Sequence, residues 1–254
     1  MNSSTHSVRY ERLYEQVSRT LALRILSGDL GPASTPQTEV ELCRELGVSR
    51  TVLREAVKVL AAKGLVEVRP KIGMRIRPRT EWALVDRELM TWQAEVGFTE
   101  EFARDLFQVR LMLEPPTCAA AALNGTQEDL DAIREAFEQM RKSADDFSSY
   151  LKADCAFHDR ISQATHNGYL IQINRILLDA VRSVQFLFQT GHREGAKFAL
   201  PLHEDVCEAI LHRDQDWART AMARLVHEAE KAMLTALKRD TRRPETRVAA
   251  TLAK

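Results

Sequence analysis

Residues 47–65 read GVSRTVLREAVKVLAAKGL and carry the signals of a helix with both ends marked. Gly47 ends a preceding helix, Ser49 supplies the oxygen that an N-cap needs, and Gly64 closes the segment. Apolar residues recur at helical spacing along this helix and predict a stripe that faces a core: Leu53, Ala56, Val57 and Leu60.

Another face of the same helix is cationic and bears a hydroxyl group, with Arg50, Thr51, Arg54 and Lys58. A short helix with an apolar back and a basic front in its first two turns suits insertion into the major groove of DNA. The alternative for this helix alone is a basic face that only contacts solvent.

The flanking sequence favours the DNA-binding reading. Thr38 and Glu41 have the spacing of a capping box, so a short helix is expected from there to Leu46. Two helices joined by the turn at residues 47–49 form a helix-turn-helix. Residues 65–69 and 74–77 alternate apolar with charged side chains, which predicts a two-stranded wing. Its basic residues would lie beside phosphates: Arg69, Lys71, Arg75 and Arg77.

These motifs together resemble the DNA-binding domain of GntR-type transcriptional regulators over about residues 10–79. The resemblance rests on Ser49-Arg50-Thr51, Arg54-Glu55-Ala56, Gly64-Leu65-Val66 and Gly73. It implies that Ser49, Arg50, Thr51 and Arg54 contact bases and phosphates and that Gly73 lies at the wing tip. The family often has Leu-Pro before the second helix and an Arg after its first Glu, and this chain has Pro36-Gln37 and Val40 there.

Composition places a nucleic-acid partner at the N-terminal end of a two-domain chain. Residues 1–80 of the 254 carry 14 Lys and Arg against 8 Asp and Glu, which gives +6 there and −6 in the remainder. The four cysteines form no CxxC pair, and no stretch resembles a signal peptide or a membrane span. We therefore expect a cytoplasmic protein with reduced thiols.

The predicted fold is mostly α, with a winged helix-turn-helix over residues 1–79 and an all-helical bundle over 98–238. A linker helix marked by Trp82, Val85, Leu89 and Trp92 is expected within residues 80–97, and residues 239–254 read as a flexible tail. Helical spacing begins near Tyr10 and resumes from Thr99 onward, with a bend or break expected at Pro115-Pro116.

Polar residues on the apolar faces of the bundle predict a site. Asp154 and His158 lie one turn apart in a stripe with Phe157 and Ile161, and His203 lies in a stripe with Ile210. Converging Asp and His side chains can hold a divalent transition metal. The alternative is an Asp–His hydrogen bond, with His203 satisfied elsewhere.

This second pattern resembles the FCD domain of the FadR subfamily over about residues 98–237. Many FCD domains bind a zinc-like metal through one Asp and three His, with a small organic acid completing the coordination. By that resemblance Asp154, His158 and His203 are metal ligands, and Leu225 occupies the place of the last His. His227 is expected to face outward if Leu225 faces inward. Either three residues plus ligand or water hold the metal, or no metal binds.

Arg110 and Arg182 are also predicted on core stripes, where a guanidinium favours a bidentate carboxylate partner. The partner is either an internal acid, Glu114 or Asp179, or a carboxylate effector. The chain resembles regulators of sugar-acid catabolism within the subfamily in its pattern of Arg110, Glu114-Pro115 and Arg182.

The sequence therefore predicts a homodimeric repressor of sugar-acid or related organic-acid catabolism that binds a palindromic operator. It is expected to release the operator when a small carboxylate, a sugar acid, binds at Arg110, Asp154, His158, Arg182 and His203. One alternative is a metal-dependent enzyme that uses the Asp154, His158 and His203 cluster. The other is a regulator that responds to a carboxylic acid other than a sugar acid.

Overall fold

A computed structural model describes residues 3–31, 38–69, 73–185 and 192–240. The chain divides into two compact units, residues 1–97 and 98–254. The first unit contains four α-helices, a two-stranded sheet and a short 3₁₀ helix among its described residues: α1 (Ser3–Leu26), α2 (Glu39–Leu46), α3 (Arg50–Ala62), β1 (Val66–Arg69), β2 (Gly73–Ile76), the 3₁₀ helix (Arg79–Glu81) and α4 (Arg87–Val96).

The first unit is the predicted winged helix. Its core packs α1 against α3 and the sheet, with Leu21, Leu53, Leu60 and Leu65 fully buried. Both helix ends at the turn form as the sequence predicts. Thr38 and Glu41 make the capping box of α2. Gly47 adopts φ 65°, which glycine tolerates without strain, and the Ser49 side chain accepts a hydrogen bond from the Val52 amide at 3.3 Å.

The wing is an antiparallel pair in which Val66 lies opposite Ile76 and Arg69 opposite Gly73. Leu65 precedes the first strand and is fully buried in the core. The expected basic tip, including Lys71, lies outside the described residues, as do Pro36 and Gln37.

The helix expected in the linker segment starts later than predicted. The chain forms a 3₁₀ turn at Arg79–Glu81, and Trp82 is extended, with its indole N–H donating to the Arg77 carbonyl at 2.9 Å. Asp86 then caps α4 by accepting from the Leu89 amide at 2.9 Å. Leu89 and Trp92 are buried in the core of the first unit, whereas Val85 is exposed.

Every regular element among the described residues of the second unit is a helix. Its helices are α5 (Glu100–Asn124), α6 (Gln127–Lys142), α7 (Phe147–Gln163), α8 (Gly168–Gln185), α9 (His192–Leu211) and α10 (Gln215–Asp240). Of the bend or break expected at Pro115-Pro116, the break is wrong, because α5 continues through both prolines. Pro115 is buried, and α5 packs along α10, so tertiary packing compensates for the missing backbone donors.

Two further helix boundaries differ from the prediction. α9 begins at His192 rather than near Leu200, and α10 extends to Asp240, so the first two residues of the expected flexible tail are helical. Residues 241–254 lie outside the described part of the chain. Within the described residues, no helix is both long and apolar enough to cross a bilayer.

Candidate functional site

The predicted DNA-contacting residues of α3 lie on its solvent-exposed face. Ser49, Arg50, Thr51 and Arg54 are all exposed, and Gly73 opens β2 with φ 98°. Arg54 is not free, since its Nε lies 3.1 Å from Glu39 Oε1 at the start of α2. Its side chain is nevertheless 66% exposed, which leaves the guanidinium accessible to a phosphate. Sequence reasoning missed this ion pair.

The expected metal cluster forms in the second unit. Asp154 and His158 lie one turn apart on α7, and His203 lies on α9, with all three buried. Nε2 of His203 lies 2.9 Å from Asp154 Oδ1, and Nε2 of His158 lies 3.9 Å from the same oxygen. The structure therefore brings together three residues that were predicted from two separate stripes.

The Nδ1 atom of each histidine, on the side of the ring away from Asp154, lies near an acceptor oxygen. His203 Nδ1 lies 2.9 Å from the Ala199 carbonyl oxygen, and His158 Nδ1 lies 3.5 Å from Glu114 Oε2. A carbonyl can only accept, so Nδ1 of His203 carries a proton. A hydrogen bond from Nε2 to the Asp154 carboxylate then needs a second proton on the ring, and a metal cation could take the place of that proton. This arrangement orients histidines for metal coordination.

The donor set fits one divalent ion. One ligand atom from each of the three side chains lies within 4.8 Å of the other two. Two imidazole nitrogens and a carboxylate oxygen are ligand types that zinc takes in proteins. The three residues would hold the metal, which would supply a Lewis-acidic centre with open positions for a carboxylate.

Protonation at the cluster also favours metal binding. Burial raises the pKa of the Asp154 carboxyl, but the hydrogen bond from His203 and the charges of His158 and Arg110 outweigh it and lower the pKa to about 2. Burial lowers the pKa of the His158 imidazole by more than the charges of Glu114 and Asp154 raise it. A carboxylate and a neutral imidazole are the forms that coordinate a metal.

Leu225 and His227 have the orientations that the sequence predicts. Leu225 is buried and lines the same cavity as the three cluster residues. His227 is exposed, with its Nδ1 4.0 Å from Glu230. The position that the FCD pattern gives to a last His is therefore an apolar part of the cavity wall.

Arg110 is buried, but its bidentate partner is internal. Its Nε donates to Glu114 Oε1 at 2.6 Å and its Nη2 to Oε2 at 3.2 Å. Burial opposes both charges, yet their attraction raises the pKa of Arg110 and lowers the pKa of Glu114. Of the two alternatives for Arg110, the internal acid is confirmed. Nη1 still carries two N–H groups, and Arg110 lines the cavity beside Asp154.

The prediction that Arg182 lies on a core stripe is wrong. Its side chain is 54% exposed and pairs with Asp179 at 3.1 Å on the outer face of α8. The buried positions of this helix include Leu177, Ala180 and Val181. Arg182 follows Val181 by one residue, which rotates its side chain by about 100° away from the buried face. Val181, rather than Arg182, lines the cavity.

The cluster lies in a cavity of about 240 Å³ between the helices of the second unit. Besides the cluster and Arg110, its lining includes Tyr150 of α7 and the alanines of α10, which sequence reasoning missed. The alanines follow Leu225 at helical spacing: Ala229, Ala232 and Ala236. Their spacing could have predicted the cavity from the sequence, because a stripe of small side chains next to a candidate ligand position leaves space for a bound molecule.

Comparison with known proteins assigns both units. The protein-family model described as "Bacterial regulatory proteins, gntR family" matches residues 13–76, and the family model described as "FCD domain" matches residues 105–228. The chain is 32% identical to YieP of Escherichia coli, an uncharacterized HTH-type transcriptional regulator, over 85% of this chain and 93% of that protein. The chain belongs to the GntR family and carries an FCD domain. It is therefore a DNA-binding transcriptional regulator.

Two other similarities extend over most of the chain. The galactonate operon transcriptional repressor of Escherichia coli is 29% identical over 90% of this chain and 95% of that protein. The solved structure of Lar, which controls the expression of the Listeria monocytogenes agr system, covers 88% of this chain and 97% of its own, with 21% identity and a TM-score of 0.61. That structure supports the fold alone. The enzyme alternative is wrong, because these relatives are transcriptional regulators.

Proposed function

We propose that this regulator is a metal-dependent repressor that releases its operator when a small carboxylate binds in the second unit. The observation that carries the proposal is the buried Asp154–His158–His203 cluster, which faces a cavity in a chain whose other unit is a winged helix. A carboxylate that coordinates the metal would be the natural occupant of the open positions.

The operator contacts would come from α3 and the wing. Arg50 and Thr51 stand exposed in the first turn of α3, where side chains reach base edges, and Ser49 and Arg54 flank them toward the phosphates. Lys71 and Gly73 would place the wing against the adjacent backbone. Val40, which is 48% exposed, replaces the Arg of the family pattern, so we expect no phosphate contact there.

We propose that the chain acts as a homodimer on a palindromic site. Exposed apolar side chains line one stripe of α8 and lie on α5 in the second unit: Tyr169, Ile173, Ile176, Val109 and Met112. Met112 is 71% exposed and Tyr169 is 87% exposed. A stripe of exposed apolar side chains along a helix can serve as an interaction site, and a two-fold symmetric pair would also present two winged helices.

The effector would bind through its carboxylate to the metal and to the Nη1 group of Arg110. The similarity to the galactonate operon repressor makes sugar acids one candidate class, and other carboxylic acids are the alternative. Relief of repression is the expected sign. The effector can change operator binding only by the difference in its affinity for the two states of the protein.

Operator binding is tested by gel retardation with DNA that the wild-type chain selects from a random pool. We expect Arg50→Ala to weaken binding by about 10- to 100-fold, the range for one base-contacting arginine. Arg141→Ala, which removes an exposed arginine of the second unit, is the matched control and should leave affinity unchanged. Equal affinity of wild type and Arg50→Ala would contradict the assignment of α3 as the reading helix.

The metal is tested with Co²⁺, whose visible spectrum reports its coordination. The wild-type chain should bind one Co²⁺ per chain and show ligand-field bands that shift when acetate is added. His203→Ala should lose the bands, whereas His212→Ala, which removes an exposed histidine at the end of α9, should keep them. Identical spectra for wild type and His203→Ala would refute the metal site.

A further inference from the structure

The cavity around the cluster is polar at one end and apolar elsewhere in its described wall. We propose that the effector is a carboxylic acid with an apolar body, alkyl or aryl, rather than a polyhydroxy acid. This inference rests on the proposed function, because it takes the Asp154–His158–His203 cluster as the anchor of the effector carboxylate.

The polar groups of the cavity gather around Asp154. His158 and His203 have their Nε2 atoms 3.9 and 2.9 Å from Asp154 Oδ1. Tyr150 lies one turn before Asp154 on α7, and Arg110 lines the same cavity. Two of the donor nitrogens of Arg110 are occupied by Glu114. The cationic and hydrogen-bonding groups of this end therefore suffice to anchor a carboxylate.

The wall away from Asp154 offers few partners for hydroxyl groups. Among the described lining residues it includes Leu106, Phe107, Leu202, Leu225, Ala229 and Met233. Glu228 is the remaining charged residue of the described lining, and its carboxylate is paired with Lys231 at 2.6 Å. Leu225 is 3% exposed and stands where the FCD pattern has an imidazole, which extends the apolar wall up to the cluster.

Sugar acids and alkyl carboxylic acids differ in the free energy of binding that they gain or lose when they leave water for this cavity. Each hydroxyl group of a sugar acid gives up its bonds to water and weakens binding where it finds no partner. Each methylene of an alkyl chain strengthens binding by about fourfold when it leaves water for an apolar surface. The described wall therefore selects for an apolar body behind the carboxylate.

The test is calorimetric titration of the Zn²⁺-loaded full-length chain with acetate, butanoate, hexanoate, octanoate and gluconate. Hexanoate and gluconate have the same number of carbons and the same carboxylate, so they isolate the effect of the hydroxyl groups. We expect affinity to rise by about fourfold per methylene along the alkyl series. We expect hexanoate to bind at least tenfold more tightly than gluconate.

A variant separates binding in the cavity from non-specific adsorption. Ala229→Leu fills part of the cavity at its apolar wall and should weaken octanoate binding at least tenfold. Acetate affinity should stay within twofold, and this retained binding also shows that the variant is folded. Ala223→Leu, on the same helix but outside the cavity lining, is the matched control and should bind octanoate like the wild type.

The outcomes distinguish this inference from the function on which it rests. If gluconate binds as tightly as hexanoate, or affinity is flat along the series, with chelator-sensitive binding, the inference is overturned and the repressor proposal stands. If no acid binds, or chelation with EDTA changes nothing, the proposed function fails and the inference falls with it. Octanoate binding that Ala229→Leu leaves unchanged also overturns the inference.

Discussion

At the scale of single residues, the Arg110–Glu114 pair supports the cluster. Both side chains are less than 7% exposed, and the pair makes two hydrogen bonds. Arg110→Met would leave a buried carboxylate without its partner. We expect the variant to lower the free energy of unfolding by about 3–5 kcal/mol, as for other broken buried pairs. Urea unfolding followed by circular dichroism measures this loss.

The double variant Arg110→Met/Glu114→Met is the control for this prediction. It removes both charges and keeps much of the buried volume, so most of the lost stability should return. His158 would lose the Glu114 carboxylate behind its Nδ1, and metal affinity should fall about 10- to 100-fold even where stability recovers. Equal stability of the single and double variants would show that the ion pair does not determine the loss.

Residue-level prediction from sequence succeeded where helical spacing alone decides the outcome. Asp154 and His158 are four positions apart in a stripe of apolar residues, so their common inward face follows from periodicity. The prediction for Arg182 failed because a shift of one position along a helix moves a side chain from the buried face to the exposed face. Glu114 could be placed beside Arg110 by its spacing of four residues, but only the packing of α7 against α5 shows that it also supports His158.

At the scale of elements, the end of α3 is joined to the start of α4 by Lys63. Its Nζ lies 2.7 Å from Asp86 Oδ1 and 2.9 Å from Glu88 Oε2, and 5.5 Å from the centre of the Trp92 ring. The Ala83 amide donates to the Lys63 carbonyl at 2.9 Å. Gly64 has φ 73°, and a Cβ there would lie 2.2 Å from the Glu81 carbonyl oxygen. Helix α3 is therefore fixed to the segment that follows the wing.

Asp86→Asn tests the electrostatic part of this junction, because asparagine caps a helix as well as aspartate does. We expect it to lower the free energy of unfolding of the first unit by about 1–2 kcal/mol at pH 7, between the values for exposed and buried pairs. In a Trp217→Phe background, tryptophan fluorescence reports on Trp82 and Trp92 in the first unit alone. Glu88→Gln, at a more exposed acid, should cost less than about 0.5 kcal/mol.

The stability from this junction should depend on pH in a defined window. Burial opposes the charge of Asp86, but the bond from Lys63 outweighs it and lowers the pKa below 3.8. The pKa of Lys63 is likewise raised above 10.5 by Asp86 and Glu88 against the effect of burial. The contribution of Asp86 is therefore present above about pH 4 and lost as the pH falls through its lowered pKa. A wild-type minus Asp86→Asn difference that stays constant down to pH 2 would contradict this assignment.

Prediction of elements from sequence was accurate where local signals agree with packing. The caps at Thr38, Gly47 and Ser49 are local, and the structure reproduces them. The linker failed because the apolar spacing from Trp82 to Trp92 mimics one helix, while the Asp86 cap and the Trp82–Arg77 hydrogen bond start it later. At prolines 115 and 116 the local signal predicts a possible break in the helix. The helix continues there because the packing of α5 against α10 outweighs that local signal.

At the scale of the whole molecule, an uneven charge distribution matches the division of labour between the two units. The first 80 residues carry +6 and the remainder −6, which cancel in the total. The positive part attracts the phosphate backbone and makes operator affinity fall with salt. The identity of the effector could not be predicted from the sequence, because the cavity wall combines side chains of five helices whose registers only the fold fixes.

The proposed dimer is tested by placing charges on the exposed stripe of α8. Ile173 and Ile176 are 45% and 43% exposed in the single chain, so lysine at either position costs the monomer little, but two pairs of lysines in a symmetric interface would repel and lose apolar burial. We expect Ile173→Lys/Ile176→Lys to reduce the mass by light scattering from twice 28.8 kDa to one chain. Operator affinity should fall at least 100-fold, because each half-site is then bound alone.

Val85→Lys is the control for this experiment, since Val85 is an apolar residue of the first unit that is 64% exposed. It should leave both the mass and the operator affinity unchanged. Circular dichroism should show the same helix content for all three proteins, which separates loss of association from loss of fold. If the double-lysine variant remains a dimer with normal operator affinity, the α8 stripe is not the interface, and the two winged helices must be paired through another surface of the chain.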